Sequence, residues 1–350
     1  MKYYSISNML STNARYMILL GQRANGKSYQ AKLTVLNDYV QSGERFIYLR
    51  RRLEDIKTAA VEEYFGDMPI SKITKGEYNG IKAWQNRIYL TYTDSEGKVT
   101  KKDQCGYYCA LNVAERYKSW SFPKVYNMVY EEFITDGAYL IDEPTMLQQF
   151  VSTVFRHRTG RVIMVGNTLS RVCPYFNEWA LEGTLKQKQG TIEVYHYKDF
   201  DGEIVDIAVE YCANANISNS MFFGQAGKQI VTGEWEVKCA NRLPKPIEEY
   251  ENVYEVLLIY QKFKFVLQLL VEPNDGGKLI FVYPFTGSRK FDRIIQDEFS
   301  DLPNITRKLD VSRRPESYMR NCLVLDKVCY SDNLTASDFN HVRADFKFIG

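Results

Sequence analysis

Eight consecutive residues, Gly21-Gln22-Arg23-Ala24-Asn25-Gly26-Lys27-Ser28, set two glycines around four intervening positions and follow them with an ammonium and a hydroxyl. The pattern suits phosphate. Glycines let the backbone curl so that several N–H groups face one anion, Lys27 reaches the β and γ phosphates, and Ser28 offers an oxygen to Mg²⁺. With Tyr29 on the first helical turn, residues 21–29 form the candidate ATP-binding set.

Such a loop works only between a strand and the start of a helix, where the helix N-terminus adds its own donors. The flanks meet that requirement. Residues 16–20 (YMILL) are a short apolar run, and Ala31, Val35 and Tyr39 recur at four-residue spacing toward Val40, as one buried helical face does. Gly43 punctuates, and FIYL at 46–49 reads as a second strand. The apolar runs are continuous rather than alternating, which predicts parallel strands covered on both faces, an α/β sheet carrying a P-loop.

Hydrolysis at such a loop needs a carboxylate on the metal side and a group that positions or deprotonates water. VYNMVY at 125–130 runs into Glu131-Glu132, with Glu131 expected beside Mg²⁺ and Glu132 toward the attacking water. An aspartate is usual at the first position. A rival pair, Asp142-Glu143, follows the shorter run Tyr139–Ile141 and precedes a proline. RVIMVGN at 161–167 supplies another strand, and Asn167 at its end can sense the γ phosphate if that strand lies between residues 16–20 and 125–130. That order marks P-loop domains with an additional catalytic strand (ASCE type).

Basic residues gather near these motifs. Residues 1–60 hold ten Lys/Arg against four Asp/Glu, and residues 151–190 hold six against two. Arg156 and Arg158 flank His157, where an arginine can project onto a neighbouring subunit's phosphates in a ring and neutralise developing charge. Arg50-Arg51-Arg52 closes the second strand at the ligand-collecting edge, and with Lys118 offers contacts to nucleotide or to a phosphate backbone.

Composition bounds the rest. With 45 Lys+Arg against 43 Asp+Glu and a net charge of +2, no global field demands a polyanion, so local patches must carry that claim. Seven scattered cysteines do not make a disulfide framework, and Cys105-x3-Cys109 reads as ordinary free thiols rather than half a zinc site. No apolar run reaches the ~20 residues that span a bilayer, so no membrane partner is expected.

Along the remaining chain, RIYLTYT at 87–93 with a turn at 95–97 predicts an antiparallel insert. Residues 1–205 read as the ATPase domain, 206–227 as a linker or lid, and 228–350 as a β-rich α+β domain. That last domain is expected to hold a hairpin over 254–284 turning at PNDGG and a helix-like segment over 288–299. SRRPESYMR at 312–320 is a candidate phosphate-contacting patch.

Taken together, GQRANGKSY, GERFIYLRR (43–51), KSWSFPKVYNMVYEEFI (118–134), TVFRHR (153–158), GN (166–167) and CPYF (173–176) resemble the DNA-packaging, or encapsidation, ATPases of phi29-like phages. The resemblance implies an additional-strand P-loop domain joined to a vestigial RNase H-like nuclease domain. It implies a homopentameric ring, bound to the portal (connector) of a prohead, that drives double-stranded DNA inward, with a structural packaging RNA as a further partner. It places the protein in the cytoplasm of the infected bacterial host and transiently at the portal vertex. Residue by residue, it assigns the phosphate lysine to Lys27, the acidic pair to Glu131 and Glu132, the trans-acting arginine to Arg156 and a second basic role to Lys118. Glu131 departs from the family's aspartate. The C-terminal domain shows no strand-borne carboxylate cluster for two metals, which favours docking over cleavage. The alternative is a helicase-like or stand-alone P-loop ATPase uncoupled from a capsid.

Overall fold

The computed structural model describes residues 4–135, 137–156, 158–199, 202–213, 235, 240–274 and 276–349. His157 and the 214–227 portion of the expected linker lie outside the described residues.

Strand β1 (Tyr16–Leu20) is buried along its whole length, and its residues divide between two cores. Tyr16, Ile18 and Leu20 enter one apolar cluster, Met17 and Leu19 the other. In β2 (Arg45–Arg50), Ile47 and Leu49 join the first cluster and Phe46 and Tyr48 the second. A strand covered on both faces must be apolar throughout, which explains the unbroken runs in the sequence.

Nine strands build the first sheet. After β1 and β2 come β3 (Gly80–Trp84), β4 (Arg87–Thr93), β5 (Val99–Ala110), β6 (Val125–Glu131), β7 (Arg161–Val165), β8 (Thr191–Lys198) and β9 (Ile204–Tyr211). Their order is β3-β4-β5-β2-β6-β7-β1-β9-β8. The run from β5 to β9 is parallel, while β3–β4–β5 and β8–β9 are antiparallel. β7 therefore lies between β6 and β1, the position the reading of Asn167 requires. The expected domain end at 205 falls inside β9, which continues to Tyr211 as the direct neighbour of β1, so the first sheet runs past that residue.

Helix α1 (Lys27–Ser42) buries Ala31, Val35 and Leu36 against one face and ends at Gly43, whose φ of 71° is the left-handed stop glycine supplies cheaply. Helix α2 (Thr58–Phe65) covers the same face. Helix α3 (Glu143–Phe155) covers the other with Leu147, Phe150, Val151 and Val154. Cys105 and Cys109 enter opposite clusters, so they do not share a metal.

The second sheet contains β10 (Glu251–Tyr260), β11 (Phe263–Val271), β12 (Lys278–Pro284), β13 (Arg293–Gln296), β14 (Ile305–Thr306) and β15 (Val328–Tyr330), in the order β14-β13-β10-β11-β12-β15. Two expectations need correction here. Residues 254–284 form a three-stranded meander, because a second tight turn falls at Gln261, which adopts φ 53°. The segment 288–299 contains strand β13 rather than a helix, its residues pairing in parallel with β10. Helices α4 (Arg314–Val324) and α5 (Asn333–Asp345) pack Met319, Leu323, Phe339 and Val342 onto this sheet.

Candidate nucleotide site at the carboxyl edge of the first sheet

The loop between β1 and α1 takes its shape from two glycines at positive φ, Gly21 at 144° and Gly26 at 100°. Gly21 also faces a close neighbour, since a Cβ there would meet Cys212, just past β9, at 3.4 Å. Lys27 opens α1, and its side chain folds back over the loop. Its Nζ donates to the carbonyls of Gly21 (3.2 Å) and Gln22 (2.6 Å) and to Asn25 Oδ1 (3.2 Å). Burial lowers the Lys27 pKa to about 8, against the pull of Cys212 and Glu131. Asn25 Nδ2 is buried and has no acceptor among the described residues, a donor already inside the loop. Arg23 points into a cavity of about 540 Å³ shared with Arg50, Arg52, Glu132 and Asn167. Tyr29 leaves the loop and packs against the core under α1.

Strand register brings the other motifs to this loop. Val165 pairs with Leu19 on one side and Glu131 on the other, so Glu131 ends its strand level with the end of β1. The Ser28 hydroxyl donates to Glu131 Oε2 at 3.2 Å, and Asn167 Oδ1 lies 3.5 Å from Lys27 Nζ. Glu131 is 5% exposed. Burial raises its pKa while hydrogen bonds from Tyr64 and Ser28 oppose the rise. A hydroxyl and a carboxylate oxygen side by side are hard donors of the kind Mg²⁺ takes, usually through one or two carboxylates plus phosphate and water.

Glu132 lies just beyond β6 in a left-handed conformation, φ 56°, with its carboxylate outside the core and bonded to Arg50 Nη2 at 2.5 Å. The rival acid behaves differently. Glu143 is fully buried and accepts from Arg51 (2.8 and 3.1 Å), Tyr130 (2.7 Å), Tyr175 (3.0 Å) and the Leu140 amide (2.9 Å). It sits at the start of α3 rather than beside Ser28, and Asp142 is exposed on a groove bordering α3. Arg51 needs the matching correction. It is 7% exposed, and besides Glu143 it donates to the carbonyls of Glu132 (3.1 Å) and Phe133 (2.6 Å), so its guanidinium is already committed to internal acceptors, although the residue borders the same cavity as Arg50.

Arg156 and Arg158 separate as clearly. Arg158 donates to the carbonyls of Phe122 (2.9 Å), Val125 (3.4 Å) and Val154 (2.6 Å) and so ties the end of α3 to the start of β6. Arg156 is exposed, with one contact to the Trp120 carbonyl at 3.3 Å. α3 runs from the edge that bears Glu132 back to the start of β7, and its 13 residues span about 20 Å. Arg156 thus stands at the opposite edge from Lys27 of the same chain. Lys118 is exposed, pairs with Glu115 at 2.7 Å and borders the groove beside α3 rather than the loop. Sequence reasoning missed Tyr64, whose hydroxyl donates to Glu131 Oε1 at 2.7 Å. It stands on a helix that carries no motif.

A phosphate-type loop between strand and helix, at the edge of a mostly parallel sheet whose acidic strand ends beside the loop's serine, defines a P-loop α/β protein. Residues 1–210 match the family of the Podovirus DNA encapsidation protein (Gp16), and the chain belongs to that family. It is similar to the DNA packaging proteins of Bacillus phages PZA and phi29, each 31% identical over 183 residues covering 50% of this chain and 49% of the relative. It thus spans about half the length of the curated relatives it matches. A chain in the structure of the bacteriophage Phi-29 viral genome packaging motor assembly shares its fold, with TM-score 0.56, 20% identity and 99% of both chains covered. Among the described residues no helix is long and apolar enough to cross a membrane.

Proposed function

We propose that this protein is an ATP-hydrolysing motor that moves double-stranded viral DNA into a preformed prohead. The observation that carries the reading is the meeting of three motif strands at one loop: Ser28 against Glu131, and Asn167 within reach of Lys27. Membership of the encapsidation family and the name DNA packaging protein on its relatives support the coupling to DNA.

In this reading Lys27 and the loop amides hold the ATP phosphates, and Ser28 with Glu131 would hold Mg²⁺, which supplies charge neutralisation at the β and γ oxygens when bound. Glu132 orients the attacking water and takes its proton, for which a carboxylate outside the core is suited. Asn167 on the strand between β6 and β1 reads the γ phosphate, which makes the domain an additional-strand ATPase. Because Arg156 stands across the sheet from its own Lys27, it acts on a neighbour's nucleotide in a ring, as the family's homopentamer implies, with Lys118 on the same flank. The unit from β10 onward is a vestigial nuclease-like docking module for the portal and for a packaging RNA. The setting is the host cytoplasm and the prohead vertex.

The test is phosphate release by the purified chain with and without double-stranded DNA and proheads. The motor reading expects DNA- and prohead-stimulated turnover that Lys27→Ala abolishes. Near-normal turnover in a folded Lys27→Ala protein would overturn the site, and turnover indifferent to DNA and proheads would leave a stand-alone ATPase.

A further inference from the structure

Glu131 is one methylene longer than the aspartate expected at its position, and a longer arm has more ways to miss a target. The structure gives it two separate donors, Ser28 on Oε2 at 3.2 Å and Tyr64 on Oε1 at 2.7 Å. Tyr64 is itself held from several sides. Its ring stacks on Tyr48 of β2 with centroids 4.3 Å apart and 20° between planes, and it meets Phe65 edge-on at 4.9 Å. Lys32, on the helix that Lys27 and Ser28 begin, donates to the Tyr64 carbonyl at 2.6 Å and to Asp67 at 2.5 Å, with its ammonium 4.7 Å from the Tyr64 ring centre.

We propose that Tyr64 is a positioning residue for the metal-side carboxylate: its hydroxyl fixes the rotamer of Glu131 so that the second oxygen stays turned toward Ser28. The ring's packing onto Tyr48 and Phe65 needs no hydroxyl, so the oxygen's contribution is separable from the fold. Without it, Glu131 Oε1 is a buried acceptor lacking its donor, and the carboxylate gains by turning away to find another. Helix α2 thus serves the site although it belongs to none of the recognised motifs. The proposal rests on reading residues 21–28 as the nucleotide loop.

The test measures binding of a non-hydrolysable ATP analogue to the full chain across a Mg²⁺ titration, for wild type, Tyr64→Phe, Glu131→Ala, the double variant and Lys27→Ala. Tyr64→Phe should stay folded, with a melting temperature lowered by only a few degrees, and keep the metal-free affinity. It should raise the Mg²⁺ concentration for half-maximal binding on the order of tenfold, the worth of one hydrogen bond to a charged group. Because Tyr64 acts through Glu131, adding Tyr64→Phe to Glu131→Ala should change the Mg²⁺ response less than twofold. An unchanged Mg²⁺ requirement in Tyr64→Phe, or an equal effect in both backgrounds, overturns the proposal. Lys27→Ala keeps the two readings apart: normal analogue binding by that variant refutes the nucleotide loop, whereas lost binding alongside a silent Tyr64→Phe refutes only the role of Tyr64.

Discussion

Arg50 and Arg51 adjoin in sequence at the end of one strand, each pairs with a glutamate, and the two pairs occupy opposite environments. Arg51 and Glu143 are 8% and 0% exposed at their side chains, whereas Arg50 and Glu132 are 21% and 59% exposed. The strand ends at Arg50, and just past it the Arg51 guanidinium turns toward Glu143 under α3 while Arg50 reaches the open carboxylate of Glu132; both residues border the cavity beside the loop. The buried pair fixes the backbone, since Arg51 also holds the carbonyls of Glu132 and Phe133. The open pair can exchange partners at little cost, which suits the water-positioning role proposed for Glu132.

The largest effect should come from breaking the buried pair. Arg51→Ala or Glu143→Ala leaves a charge unpaired in the core and should remove about 3–5 kcal/mol of stability, read by chemical denaturation. Replacing both, Arg51→Met with Glu143→Leu, removes the unpaired charge but strands the Tyr130 and Tyr175 hydroxyls and the Glu132 and Phe133 carbonyls, so it should recover only part of that loss. A loss below about 1 kcal/mol for either single variant would show that the pair is not buried in solution.

Next in size is the effect of Glu132→Gln on turnover. It should leave nucleotide binding intact while slowing hydrolysis by about 10²–10⁴-fold, the usual contribution of a positioned base. Glu143→Gln is the control that sharpens the contrast. If that variant alone traps bound ATP in a folded protein, the working acid belongs to 142/143.

Arg50→Ala should cost only about 0–1 kcal/mol, as exposed ion pairs do, and raised salt should shrink the difference further. A loss of several kcal/mol would erase the distinction drawn between the two pairs. In the isolated chain, Arg156→Ala should have the smallest effect of all, with stability and ATP binding unchanged. Its defect should emerge on assembly, and mixing it with Glu132→Gln subunits should restore some single-round hydrolysis above either alone. No recovery would remove the trans role.

The loop was legible because its backbone dictates its residues: Gly21 and Gly26 adopt φ values that L side chains avoid, and phosphate chemistry names Lys27 and Ser28. Strands β1, β2, β6 and β7 were legible because double-sided burial demands unbroken apolar runs. Which side of a strand end faces the core is not written in polarity alone, so Arg51 passed for a surface cation and Glu143 for a candidate base until their shared pocket was visible. The pairing of β9 with β1 was not legible because that ladder joins residues about 190 positions apart. β13 is four residues long, too short for its period to stand out.

The placement of β9 bears on how load crosses the molecule. The strand lies parallel to β1 over five paired positions, Tyr16–Leu20 with Ile207–Tyr211, and its last link runs from the Cys212 amide to the Leu20 carbonyl at 2.8 Å, one residue before the loop. A pull applied along β9 at its carboxyl end would act lengthwise against β1, loading all the rungs of the ladder together in shear instead of peeling them one by one. Cys212, the residue such a pull would move first, is also the one a Cβ on Gly21 would meet at 3.4 Å, so a ladder strained in that direction resists directly beside the loop.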